Sequence, residues 1–133
     1  MRITKIFGLF LMSTLFLSCS NAQEEVSSNK NSSEPIVSLV DKSDFKKLME
    51  KEGAQLLDVR TPREVANGKI GEAIEMNFHD SDFKSQLASL DKEKPVLVYC
   101  AAGGRSAKAV QMMKTMGFIE IHELRGGYSA WVN

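Results

Sequence analysis

Cysteine is scarce in this chain, with two residues among 133, Cys19 and Cys100. So small a number excludes a disulfide framework. Histidine is equally rare. His79 and His122 stand far apart and lack the spacing of metal ligands, so neither a metal site nor a cofactor is expected. An excess of one charge is missing too: 17 basic residues face 17 acidic ones. No basic stripe is available for nucleic acid. No internal repeat is visible, and the length leaves room for one domain and a tail.

The N-terminus is not part of that domain. Arg2 and Lys5 precede a nearly unbroken apolar run, Ile6 to Leu17. The run is too short to span a bilayer comfortably and suits a secretory signal. It leads into Phe16-Leu17-Ser18-Cys19, which resembles the lipobox of bacterial lipoproteins, with Phe16 where an aliphatic residue is usual. The resemblance implies that residues 1–18 are a signal peptide and that Cys19 carries lipid. The protein would then be anchored to a membrane of the bacterial cell envelope, facing the periplasm or the surface. Residues 19–34, rich in Ser, Asn and Glu, form no core and are expected to be a disordered tether. Cys100 is then the only thiol of the mature chain, which marks it as a candidate reactive group.

From residue 35 to 133 short apolar strands alternate with helices. Strands are expected at Ile36–Val40, Ala54–Val59, Ala73–Asn77, Val96–Cys100 and Phe118–Leu124. A first helix starts at a Ser43 cap and runs to about Lys51, with Gly53 as its stop. Thr61-Pro62-Arg63-Glu64 opens a second with a capping box. A third begins at Asp80 or Ser81 and turns Phe83, Leu87 and Leu90 inward. A fourth spans Ser106 to Met116, and a short helical end contains Trp131. In Phe118-Ile119-Glu120-Ile121-His122 the alternation puts His122 on the wetter side of a strand. This order predicts an α/β sheet covered by helices on both faces.

Chemistry concentrates where the fourth strand ends. Val96-Leu97-Val98-Tyr99 leads into Cys100, then Ala101-Ala102-Gly103-Gly104-Arg105-Ser106. In open α/β sheets ligands bind outside the carboxyl ends of strands. Small residues and glycines let the loop turn its N–H groups toward the sulfur. The helix that follows adds the positive end of its dipole, and Arg105 adds a fixed cation. All three favour the thiolate over the thiol. A thiol sealed among hydrocarbon would contradict this reading, since a buried cysteine is ordinarily a small hydrophobe.

These residues resemble the rhodanese family. Cys100-x-x-Gly103-x-Arg105 matches its active-site loop, and Leu57-Asp58-Val59-Arg60-Thr61-Pro62 a segment that precedes it. Gly68-Lys69-Ile70 stands where the family usually has Gly-His-Ile. Leu124-Arg125-Gly126-Gly127, with Ala130-Trp131, matches the usual ending. The resemblance implies a rhodanese-like α/β fold with a mostly parallel five-stranded sheet. It also implies a sulfurtransferase in which Cys100 accepts a sulfane sulfur and Ala101 to Arg105 cradle the persulfide and an anionic donor. Thiosulfate or a related donor and a cyanide or thiol acceptor, including a protein thiol, would be its partners. Asp58, Arg60 and Ser106 take supporting roles, the first two as an ion pair.

Two other readings compete. A binding or sulfur-sensing module on the same scaffold would need no turnover, although noncatalytic members commonly lose the cysteine. Phosphatases and arsenate reductases of the related type carry a longer loop between cysteine and arginine than the four residues Ala101 to Gly104. Met112, Met113 and Met116 suggest copper, but their helical spacing fits core packing. Arg125 fits either the pocket rim or the surface.

Overall fold

The structure is a computed structural model that describes residues 34–133. The expected signal peptide, Cys19 and nearly all of the expected tether lie outside the described residues.

Five strands form one sheet: β1 (Ile36–Val40), β2 (Gln55–Asp58), β3 (Ile74–Glu75), β4 (Val96–Tyr99) and β5 (Glu120–Leu124). Their spatial order is β1-β5-β4-β2-β3, and every pairing is parallel. The helices are α1 (Lys42–Met49), α2 (Pro62–Val65), α3 (Phe83–Leu87), α4 (Gly104–Thr115) and α5 (Gly127–Val132). The sheet is therefore wholly parallel, as buried βαβ sheets are.

Side chains alternate across each strand and so feed two cores. Val96, Val98 and Cys100 enter one with Leu57, Phe83, Leu87, Met113 and Ile121. Leu97 and Tyr99 enter the other with Phe45, Ile70 and Leu124. The alternation that places Cys100 beneath α4 is fixed by β4 itself. Met113 is fully buried and Val110 nearly so, which identifies the methionine-bearing helix face as core. Trp131 packs edge-on against Phe45, with ring centroids 6.4 Å apart, and lids the second core.

Several expectations need correction. Asp41, not Ser43, is the cap residue of α1; its carbonyl accepts the Phe45 N–H at 2.9 Å. β3 is only two residues long, and α3 starts at Phe83. α4 begins two residues early, at Gly104, so Arg105 lies in its first turn. His122 is not on a wet face. It is 6% exposed, held between Ser38 Oγ at 2.6 Å and Glu120 Oε1 at 2.7 Å. β5 is an inner strand covered on both faces, so alternation there separates two cores rather than core from water.

The connection from β2 leaves toward β3, and that from β4 leaves toward β5 on the other side. The carboxyl ends of β2 and β4 thus flank the topological switch point, where such sheets open a crevice. Asp58 ends one strand and Cys100 follows the other.

Candidate active site

Two turns meet at this switch point. The one after β2 is tied by side chains. Asp58 accepts the Arg60 backbone N–H at 3.0 Å and pairs with its guanidinium at 2.7 Å; both residues are buried. Arg60 also donates to the Gly68 carbonyl at 2.8 Å and lies 4.0 Å over the Tyr128 ring. These contacts bring together the expected ion pair and explain how it holds α2 over the sheet. Thr61 and Glu64 form the expected capping box, with the Thr61 N–H donating to Glu64 Oε2 at 2.9 Å.

The loop after β4 is tied by its backbone. Tyr128 N–H donates to the Cys100 carbonyl at 2.7 Å, and Ser129 N–H to the Ala101 carbonyl at 3.0 Å. In a trans peptide the N–H points opposite to the C=O. Pulling the Ala101 carbonyl toward α5 therefore aims the Ala102 N–H the other way, toward the sulfur. Gly127 makes this possible. Its φ is +59°, and a Cβ there would lie 2.4 Å from the Cys100 oxygen. The double glycine is what lets the start of α5 reach the loop. Gly103, with φ +113°, bends the loop into α4 and donates its N–H to Cys100 Sγ at 3.0 Å. Ser106 Oγ lies 3.4 Å from the same sulfur.

Cys100 is only 1% exposed. Its sulfur nonetheless faces polar groups, not only hydrocarbon. Burial pushes the thiol up. The Ser106 hydroxyl and the N–H groups of Ser106, Gly103 and Ala102 outweigh it, and the net shift is downward. Over the sulfur lies a strip of small residues, of which Ala102 and Gly104 are exposed.

Arg105 keeps its charge near the sulfur but is paired. Its guanidinium is bound by both oxygens of Glu64, at 2.7 and 2.6 Å. It is not a free cation beside the sulfur. The Arg105 pair, opposed by burial and helped by Thr61, holds the Glu64 carboxyl well below the usual carboxylate range. Glu64 thus caps α2 and clamps the first turn of α4. Sequence reasoning gave it only the first role; the 41-residue separation carried no signal for the second. Glu123, whose Oε1 accepts from Ser106 Oγ at 2.6 Å, was also missed. Arg125 is well exposed and pairs with Asp41 at 3.0 Å, which makes it a surface residue. Among the described residues no cluster of His, Cys, Asp or Glu could hold a metal.

A cavity of about 310 Å³ lies elsewhere, between Met49, Leu56, Ile74 and Leu97. Size does not point to the chemistry here; the hydrogen bonds on the sulfur do.

Known proteins resemble this chain at moderate distance. The chain is 33% identical over 85 residues to a "Sulfurtransferase" of Allochromatium vinosum, covering 64% of this chain and 78% of that one. It is 32% identical over 97 residues to "Thiosulfate sulfurtransferase GlpE" of Stutzerimonas stutzeri, covering 67% and 86%. The crystal structure of a rhodanese-like domain protein from Staphylococcus aureus superposes with a TM-score of 0.62 at 33% identity, covering 72% of this chain and 91% of that one. The model of the "Rhodanese-like domain" family matches residues 41–133, from the cap of α1 to the last residue. That span holds both turns of the switch point, and by it the chain belongs to the rhodanese-like domain family.

Proposed function

We propose that the protein is a sulfurtransferase that works through a persulfide on Cys100. The observation that carries this reading is the sulfur at the end of β4 with loop amides turned onto it, Gly103 N–H at 3.0 Å. With thiosulfate as donor, the Cys100 thiolate attacks the outer sulfur. The bond between the two donor sulfurs breaks, and sulfite departs with its electron pair. The product is a Cys100 persulfide anion, so charge and atoms balance. Cyanide or a thiolate then takes the outer sulfur and restores the thiolate. Loop N–H dipoles stabilise the anionic sulfur at each stage. Attack on sulfur needs a thiolate but no general base, and no histidine lies in either turn. The names of the similar sulfurtransferases support the same chemistry.

The lipid-anchored placement belongs to this proposal as well. Residues 1–18 act as the signal, Cys19 carries the acyl chains, and the domain from 35 works in the cell envelope.

A second reading has one observation in its favour. Cys100 is 1% exposed, as a cysteine in a binding module could be. Turnover requires the strip Ala101–Gly104 to shift and admit a donor; binding alone does not. Intact-mass analysis after thiosulfate, together with thiocyanate production, separates the two. The enzyme gains the mass of one sulfur atom, loses it to cyanide, and does neither as Cys100→Ser. A native protein that takes up no sulfur from thiosulfate, polysulfide or a persulfide is the module.

A further inference from the structure

Ser106 has one hydroxyl proton and three acceptors within reach: Glu123 Oε1 at 2.6 Å, the Gly103 carbonyl at 3.1 Å and Cys100 Sγ at 3.4 Å. It cannot serve them all. The short contact to a carboxylate is the strong one, since a charge-assisted O–H···O⁻ bond is about twice as strong as a neutral one. Glu123 reaches this point because β5 alternates. Ile121 faces the core under α4, so Glu123, two residues on, faces the start of α4. Its Oε1 also lies 3.9 Å from where a Gly103 Cβ would stand, against the loop itself.

We infer that Glu123 is a positioning residue for the sulfur chemistry, competing with Cys100 for the Ser106 proton so that the thiolate rests chiefly on backbone N–H groups. The physical consequence is a more nucleophilic sulfur. Each donor that stabilises a thiolate also lowers its basicity, and nucleophilicity toward sulfur falls with basicity. Glu123 therefore sets an upper bound on how strongly the loop can tame the anion. Other charges near the sulfur are already paired. Arg105 is bound by Glu64 and Asp58 by Arg60, which leaves the carboxylate of Glu123 as the charge coupled to the sulfur through a shared hydroxyl.

The role in sulfur transfer rests on the proposed function, but the test does not. Cys100 is titrated by its ultraviolet thiolate absorbance in the native protein, Glu123→Gln, Glu123→Asp and Ser106→Ala, with circular dichroism to confirm folding. Glutamine can donate to Ser106 Oγ and release its proton to the sulfur. The midpoint of Glu123→Gln then falls by about one pH unit. Aspartate keeps the charge but withdraws it by a methylene, so Glu123→Asp moves in the same direction. In a Ser106→Ala background Glu123→Gln shifts little further. At high pH, where the thiol is fully ionised in both forms, alkylation of Glu123→Gln by iodoacetamide is about threefold slower than native. An unchanged or raised midpoint in Glu123→Gln overturns the inference. So does a native-like Glu123→Asp, or a full shift that persists without Ser106, either of which reduces Glu123 to a charge acting through space.

Discussion

In the turn after β2, Asp58, Arg60, Thr61 and Glu64 engage their polar side chains with one another. The loop after β4 has almost no side chain to engage, and its order comes from peptide groups held by the start of α5. The difference has a functional sense. A turn built of side chains is held in place by the bonds among them. A loop of alanine and glycine has little bulk to shift aside for a small donor, and it turns its N–H groups toward the sulfur. The first turn steadies the second through one contact, the Glu64–Arg105 pair.

Four substitutions set these materials against each other. Asp58→Ala has the largest expected effect. It strands the buried Arg60 charge, and unfolding in urea should show a loss of about 3–5 kcal/mol. Gly127→Ala comes next. Its Cβ would meet backbone rather than a flexible chain, at a positive φ. A loss of about 2–4 kcal/mol is expected. Because the contact is with the Cys100 carbonyl, the thiol midpoint should move as well. Glu64→Gln should cost about 1–2 kcal/mol, reduced because the pair is partly exposed.

That third loss depends on pH, with a definite sign. The folded Glu64 carboxyl lies below its unfolded value, so its stabilisation is present above the unfolded value and fades as pH falls through the folded one. Native protein and Glu64→Gln should therefore differ most near neutrality and converge progressively below about pH 4. Gly104→Ala is the smallest effect. Apart from its chain neighbours and its own helix backbone, no atom lies within 4 Å of its would-be Cβ. A change within about 0.5 kcal/mol, with unchanged thiol titration, is expected. A large effect there would mean that loop and turn do not differ as described.

Local signals were the legible ones. Thr61-Pro62-Arg63-Glu64 carried its capping box openly, because cap and partner are three residues apart. Asp58 and Arg60 are two apart, and their pairing was also readable. The position of Cys100 followed from an apolar run that stops at small residues. Contacts that join distant segments were not readable. Glu64 and Arg105 meet because α2 and α4 both start at the switch point, and Ser106 and Glu123 meet because β5 lies beside β4. The expectation for His122 failed for a related reason. Alternation gives the two faces of a strand, but not whether water or a helix covers each.

The claim on which the account depends is that this fold ionises Cys100 although it is buried. Titration of the single thiol in residues 34–133, followed by ultraviolet absorbance and by the pH dependence of alkylation, tests it directly. A midpoint below that of a free cysteine, about 8.5, is expected. A midpoint at or above that value would show that burial outweighs the loop's donors and would contradict the claim.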